Sequence, residues 1–362
     1  MKNLLLSILT YFANQILLSK KPEIVAITGS AGKTTAKEAI YSTLKSSRQW
    51  KDKVFSNYGN LNTEFGIPLS IAIIKVKPPN KLTWIFVLSY YVIKSILILV
   101  GLIKYPRILI LEMATDKPND LKYLTSYIHP KIAIVTNIGP SHLERFVQIE
   151  AVIDEKTQVI KHLAPNGIVI LNKQSNYYHK LIQYLPNDAK LILIDYPVEE
   201  SYIGFTRLVG KYFRLNLSQI DSVLNKYSPP KGRLEIIKKN GLTIIDSSYN
   251  SNPLSLRVVL TKGRSLKMSQ RPERYIGIIG DMKELGESVN QYHLDFKKIL
   301  KKDFDILISV GEKSKLFEAD YHFGKVQEAI PFILKLIQKN DMLLIKGSHS
   351  EHLEKIVQKL IK

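Results

Sequence analysis

Short apolar runs alternate with longer mixed stretches along most of the chain. EIVAIT (23–28), RILILEMA (107–114), KIAIVTNI (131–138) and GIVILN (167–172) are continuous apolar runs bounded by polar or turn residues. Strands buried on both faces of a parallel sheet look like this. LSIAIIKV (69–76) reads the same way. Helical stretches separate the runs, so the pattern predicts a doubly wound α/β domain over residues 22–229. SPPKG (228–232) reads as a linker. LTIIDSS (242–248), RYIGIIGD (274–281), FDILISVG (304–311) and DMLLIKG (341–347) then predict a smaller, Rossmann-like α/β domain over 230–362.

Two apolar segments break this rhythm. In residues 1–21, Asn3, Ser7, Thr10 and Asn14 fall three to four apart, one narrow polar stripe on an otherwise apolar helix. No small-residue cleavage site follows; Lys20-Lys21-Pro22 does. The segment reads as an amphipathic helix, packed on the protein or lying at a membrane interface, with a membrane anchor and a cleaved signal as alternatives. The second segment, 82–103, carries a single charge, Lys94, and is long enough to span a bilayer. It lies between two strand-like runs, and a span would put those on opposite sides of the membrane. A helical insertion fits better, either buried or lying in the interface. Trp84, Tyr90 and Tyr91, with basic flanks at Lys81, Lys104 and Arg107, suit an interface.

With 362 residues, 45% of them hydrophobic, the chain can bury two cores and is not a disordered sequence. It has no cysteine, which excludes disulfides, cysteine-ligated metal sites and a thiol nucleophile. A net charge of +20 favours anionic partners: nucleotides, phosphorylated substrates, nucleic acid or an anionic membrane face.

The first strand-like run leads directly into GSAGKTTAKEAI (29–40). Gly29 and Gly32 allow backbone to wrap a phosphate, and the helix that follows points its first N–H groups at it. Lys33 would reach the β- and γ-phosphates, and the Thr34 hydroxyl would ligate Mg²⁺. Gly29, Ser30, Ala31, Gly32, Lys33, Thr34 and Thr35 are therefore the expected ATP loop, against the plainer reading of a strand–helix turn.

TGSAGKTT (28–35) resembles the loop of the Mur ligases, ATP-dependent amide-forming enzymes of peptidoglycan synthesis. GNLNTEFGIPLSI (59–71), LEMATDKPNDL (111–121), TNIGPSHLERF (136–146), DSSYNSNPLSLR (246–257), GDMKELGE (280–287) and KGSHS (346–350) resemble further segments of that family, in order. The last three are most like the MurF branch, whose members add D-alanyl-D-alanine to UDP-N-acetylmuramoyl-tripeptide. The resemblance implies ATP and Mg²⁺, an acyl-phosphate mechanism, and ATP bound between two domains that close on it. Glu112, at a strand end, is the implied magnesium ligand; His142 and a carbamylated Lys156 are implied at a second magnesium. Asn137, Asn60 and Asn62 would line the same cleft, although Thr63 stands where the family often has a further Asn. Asn250 and Asn252 resemble nucleotide contacts, and Asp281 resembles the acid that binds the ribose hydroxyls. Arg233 would touch phosphate. Lys346 and His349 would face substrate, with His349 standing where Arg is usual.

Only 28 residues precede the loop, where MurF chains have a domain for the UDP moiety. Two substrate readings follow: the UDP-linked precursor, or a lipid-linked or polymeric carboxylate such as poly-γ-glutamate handled at a membrane. Small or precursor peptide substrates, a cytoplasmic and membrane-associated location, and a monomer are expected. A nucleic-acid-binding P-loop protein is a remote alternative, because the basic residues are dispersed and the aromatic residues form no stacking platform; nucleic acid is not expected as a partner. A membrane-bound ATPase or transporter part rests on the apolar insertion alone.

Overall fold

The computed structural model describes residues 2–59, 61–76 and 83–362. Their contacts gather into two compact units. One contains the chain through Ile138 together with Glu150–Tyr227, and the other contains Gly139–Ile149 with Ser228–Lys362.

The first unit is built on six parallel strands: β1 (Glu23–Thr28), β2 (Val54–Ser56), β3 (Ile108–Glu112), β4 (Ile132–Val135), β5 (Ile168–Asn172) and β6 (Lys190–Ile194). Their order is β2-β3-β1-β4-β5-β6. Val25, Ile27, Ile108, Ile110, Ile132 and Ile134 pack with Ile40, Leu44, Phe205 and Val209 from covering helices. Burial on both faces explains why β1, β3 and β4 have no polar alternation. From β1 the chain moves to β2 and β3 on one side and only later to β4 on the other. The carboxyl end of β1 is therefore the switch point of the sheet, where such folds bind ligands.

The run 69–76 is not a strand. Helix α3 covers Gly66–Ile71, and all six of its residues are buried. The Gly66 and Ile67 amides donate to the Thr63 carbonyl, and Pro68 sits in the first turn, where its missing N–H costs nothing. A continuous apolar run suits a buried helix as well as a buried strand, which is why periodicity misreads it. The edge position goes instead to β2, three residues long.

Both apolar segments form helices, α1 (Lys2–Lys20) and α4 (Trp84–Leu99). Between them in sequence lie α2 (Lys33–Ser46), which follows the glycine loop, and α3. Tyr91, Ser95 and Ile98 of α4 are buried, as are Leu9, Ala13 and Ile16 of α1. The Tyr91 hydroxyl donates to the Leu9 carbonyl, and its ring meets Phe12 edge-on at 6.2 Å. The Lys20 ammonium caps the far end of α4 at the Leu99 carbonyl, 3.4 Å away. Among the described residues no helix is long and apolar enough to cross a membrane.

The second unit contains β7 (Glu235–Lys239), β8 (Leu242–Ser247), β9 (Tyr275–Gly280), β10 (Ile306–Val310), β11 (Tyr321–Phe323) and β12 (Met342–Lys346). Their order is β11-β10-β9-β12-β8-β7, and all pairs are parallel except β7 with β8. Its switch point is the carboxyl end of β9, where Asp281 follows.

Tyr91 is the largest fully buried side chain at the α1–α4 seam. Tyr91→Ala is expected to lower unfolding free energy by about 3–5 kcal/mol through the cavity it leaves. Tyr91→Phe, which loses only the hydroxyl contact, is expected to cost about 1 kcal/mol. Urea titration of both variants checks the order; equal losses would show that the hydroxyl contact, and not packing, holds the seam.

Candidate active site

In the first unit the glycine loop lies against the carboxyl end of β4. Gly29 has φ 144° and Gly32 φ 79°. A Cβ on Gly29 would fall 2.0 Å from Thr136 Oγ1, so this position excludes any side chain on space as well as on backbone angle. The Ser30 amide donates to the Asn137 carbonyl at 3.0 Å, and the Ala31 amide to Asn137 Oδ1 at 2.9 Å. Thr136 Oγ1 returns a hydrogen bond to the Ala31 carbonyl at 2.6 Å. Asn137 thus shapes the loop from the side.

Gly32 precedes the first turn of α2. The Lys33 ammonium folds back onto the Gly29 carbonyl at 2.7 Å. The Thr34 hydroxyl donates to Glu112 Oε2 at 2.8 Å, and Asn62 Nδ2 donates to Glu112 Oε1 at 3.0 Å. A buried carboxylate and a hydroxyl side by side, both hard oxygen donors, fit Mg²⁺. The Thr35 carbonyl accepts from the Tyr227 hydroxyl at 3.0 Å. Asn60 lies outside the described residues.

Two residues that the sequence reading passed over hold Glu112. Lys37, one turn beyond Lys33, is fully buried; it donates to the Asn57 carbonyl at 2.9 Å and lies 3.8 Å from Glu112 Oε2. Asn57 clasps the Glu112 peptide: its Oδ1 accepts the Glu112 amide at 2.8 Å and its Nδ2 donates to the Glu112 carbonyl at 3.0 Å. The one available signal was helical spacing, since Lys33 and Lys37 share a face of α2.

Lys156 is buried in the helix Ile149–Lys161. Burial, with repulsion from Lys33, holds its amine well below the usual lysine range. A neutral amine is the form that adds CO₂. Its neighbour Glu155 is also buried and accepts the Asn119 amide at 2.8 Å. Burial pushes the Glu155 carboxyl up.

In the second unit, His142 sits just before the short helix Leu143–Phe146 with φ 55°. Its Nδ1 lies 2.8 Å from Glu284 Oε2. The contact from His142 holds the Glu284 carboxyl below its usual range. Glu284 belongs to the quoted GDMKELGE segment, but nothing in the sequence pairs it with His142. A carboxylate on one ring nitrogen fixes the ring and leaves the other to face a ligand. Among the described residues no three His, Asp or Glu side chains gather to hold a metal.

Asp281 is buried, and its Oδ1 accepts the Ser314 amide at 2.7 Å. It lines an open pocket of about 510 Å³ with Glu284, Val289, Lys313 and Gly324. His293 is buried beneath it. Its Nδ1 meets the Val289 carbonyl at 2.7 Å, and its Nε2 accepts the Met282 amide at 3.1 Å, which selects the neutral Nδ1–H form. Burial lowers the affinity of His293 for a second proton.

Lys346, at the end of β12, is buried and donates to the Asn250 carbonyl at 2.7 Å. Burial, with repulsion from Arg233, brings its amine down to about 7. The Arg233 guanidinium lies 3.9 Å from the centre of the Tyr249 ring, which in turn lies 5.5 Å from the exposed His349 ring. The hydroxyls of Ser248 and Ser251 are buried without a hydrogen-bond partner in the same loop. Asn250 accepts the Ser251 amide at 2.8 Å. Asn252 Oδ1 accepts the Ser255 amide at 2.8 Å, so its oxygen is the N-cap of the helix Pro253–Gln270.

The sequence profile of the Mur ligase middle domain matches residues 97–230, and that of the Mur ligase glutamate ligase domain matches 232–349. The chain is 26% identical, over 92% of its length and 73% of the relative's, to UDP-N-acetylmuramoyl-tripeptide–D-alanyl-D-alanine ligase of Borreliella burgdorferi. It shares its fold with MurF of Acinetobacter baumannii, at TM-score 0.78 and 22% identity over 99% of this chain and 80% of that one. MurF of Thermotoga maritima, crystallised with ADP, superposes with TM-score 0.77 and 22% identity over 98% and 82% of the two chains.

Lys346 gives a pH signature. Between pH 7 and 10.5 the unfolded chain holds this proton and the folded chain does not. Its contribution to stability therefore rises with pH across that window. Stability of the wild type minus that of Lys346→Met, from urea titrations at several pH values, is expected to climb from pH 7 to 10. Parallel curves would contradict it.

Proposed function

The chain belongs to the Mur ligase family, and on that premise we propose that it is an ATP-dependent, ADP-forming acid–amino-acid ligase of the MurF type, joining D-alanyl-D-alanine to a UDP-muramoyl-peptide precursor of peptidoglycan. The observation that carries this reading is the glycine loop at the switch point of the first sheet, with Thr34 and Glu112 2.8 Å apart beside it.

The chemistry starts with a substrate carboxylate oxygen attacking the γ-phosphorus of ATP. The bond to the β,γ-bridging oxygen breaks, ADP leaves, and an acyl phosphate forms. The amine of D-alanyl-D-alanine then adds to the acyl carbon and loses a proton, and phosphate departs with the carbon–oxygen bond electrons. The difficulty is bringing anions together, so the residues serve mainly to hold charge in place. The amides of Gly29–Thr35 would cradle the phosphates. Lys33 would exchange the Gly29 carbonyl for a phosphate oxygen. Thr34 and Glu112 would hold Mg²⁺, whose charge, when bound, offsets that of the phosphates. Lys37 and Asn57 keep Glu112 in one orientation.

A carbamylated Lys156, and His142 held by Glu284, are proposed for a second Mg²⁺. Asp281 would accept hydrogen bonds from the ribose hydroxyls, with Asn250 and Asn252 near the nucleotide. Arg233, Lys346 and His349 would meet an anionic substrate, and Asn62 and Asn137 would line the same cleft in the first unit. We propose that the reaction takes place in the cytoplasm and that the chain acts as a monomer.

Phosphate release from Mg-ATP by the purified chain, supplied with UDP-N-acetylmuramoyl-tripeptide and D-alanyl-D-alanine, tests this reading. Lys33→Ala and Glu112→Ala are each expected to lower turnover about a thousandfold. Asp281→Ala is expected to raise KM for ATP about tenfold with little change in kcat. Full turnover by Lys33→Ala would reject the mechanism.

The role of Lys156 has its own readout. Turnover is expected to fall in CO₂-depleted buffer and to return when bicarbonate is added. Unchanged turnover in depleted buffer would leave Lys156 as an amine.

A further inference from the structure

We propose that the outer face of α1 and α4 docks the protein peripherally on an anionic lipid surface. This goes beyond the ligase reading and does not depend on it.

The two helices turn one side inward and leave an apolar side outward. On α4, Tyr91, Ser95 and Ile98 are buried. Ile85, Phe86, Tyr90, Ile93, Ile96 and Val100 lie on the other side, with Ile85 74% and Phe86 77% exposed. At 100° per residue the buried group and the outward group occupy opposite arcs of the helix. Leu102, just past the helix, is 75% exposed. On α1, exposed Leu4, Tyr11 and Leu18 recur every seven residues and so form one stripe, opposite buried Leu9, Ala13 and Ile16. Leu9 meets Tyr91 and Lys20 meets Leu99, so the helices lie side by side in the same direction. Isolated exposed apolar residues are ordinary, but a run of this length along two adjacent helices is a surface made to be covered.

Charge indicates what covers it. No Asp or Glu precedes Glu23, and none lies between Glu64 and Glu112. Those stretches supply both helices and their flanks. The charges there are all basic, and Lys21, Lys75, Lys104 and Arg107 are exposed. Lys94 reaches back to the Ile73 carbonyl at 2.8 Å, with its ammonium 5.6 Å from the centre of the Tyr90 ring. Aliphatic and aromatic side chains flanked by lysine, in two stretches of chain without an acid, match the boundary between acyl chains and anionic headgroups. Lysine is depleted at protein–protein interfaces, so a protein partner fits this rim less well. At 16 residues α4 is about 24 Å long, short of a crossing, so it lies in the surface plane.

Cosedimentation of the full chain with vesicles tests this, using phosphatidylcholine alone and equal parts phosphatidylcholine and phosphatidylglycerol. The chain is expected to bind the mixed vesicles, more weakly as salt rises, and to bind phosphatidylcholine poorly. Phe86→Ser with Ile93→Ser is expected to weaken binding about tenfold or more, with melting temperature and turnover in solution unchanged. Lys104→Gln with Arg107→Gln is expected to weaken it about tenfold at low salt and to keep the apolar face intact should the first pair misfold. The proposal fails if mixed vesicles do not bind the chain, or if neither pair changes binding. It also fails if the chain is a dimer that Phe86→Ser with Ile93→Ser dissociates, which would make a second copy the occupant.

Discussion

The site depends on how closely the glycine loop approaches the end of β4. Gly29 occupies space that no side chain can share with Thr136, and two loop amides end on Asn137. A loop meant to wrap phosphates would otherwise be soft, because glycine loses more backbone entropy than any residue on becoming ordered. Thr136 and Asn137 meet that cost by tying the loop to a strand buried on both faces. Order β2-β3-β1-β4 puts the loop at the one place in the sheet where neighbouring connections diverge and leave room for a ligand.

Around this cradle the protein keeps charges buried and in fixed places. Glu112 is clasped through its peptide by Asn57 and faces Thr34, Asn62 and Lys37. A lone buried carboxylate is costly, whereas one among donors is held in a single orientation. Lys156 and Lys346 show the opposite device. Burial and a neighbouring cation make each amine give up its proton readily. Such groups are primed for chemistry that needs a neutral amine, or for an anion whose arrival restores the charge.

Much of this was legible in the sequence. Strands buried on both faces read as short continuous apolar runs, so β1, β3, β4 and β5 were readable, as was the loop after β1. The run 69–76 was not, because a buried helix and a buried strand share one composition. Lys37 and Glu284 were missed for another reason: each matters through a partner distant in sequence, Glu112 or His142, and only the fold supplies it. Asn252 was read for its motif, yet its oxygen also caps a helix, a local role that Asn fills wherever a helix starts. The apolar insertion resolved into a helix with one face buried and one bare, a division that all-round hydrophobicity conceals.

Isotope transfer tests the central claim, activation of a carboxylate at this loop. The substrate carboxylate would carry a heavy-oxygen label, and the released phosphate would be weighed by mass spectrometry. An acyl phosphate leaves one labelled oxygen in the phosphate for each amide formed. Unlabelled phosphate would mean that water attacks ATP directly, and it would contradict the account.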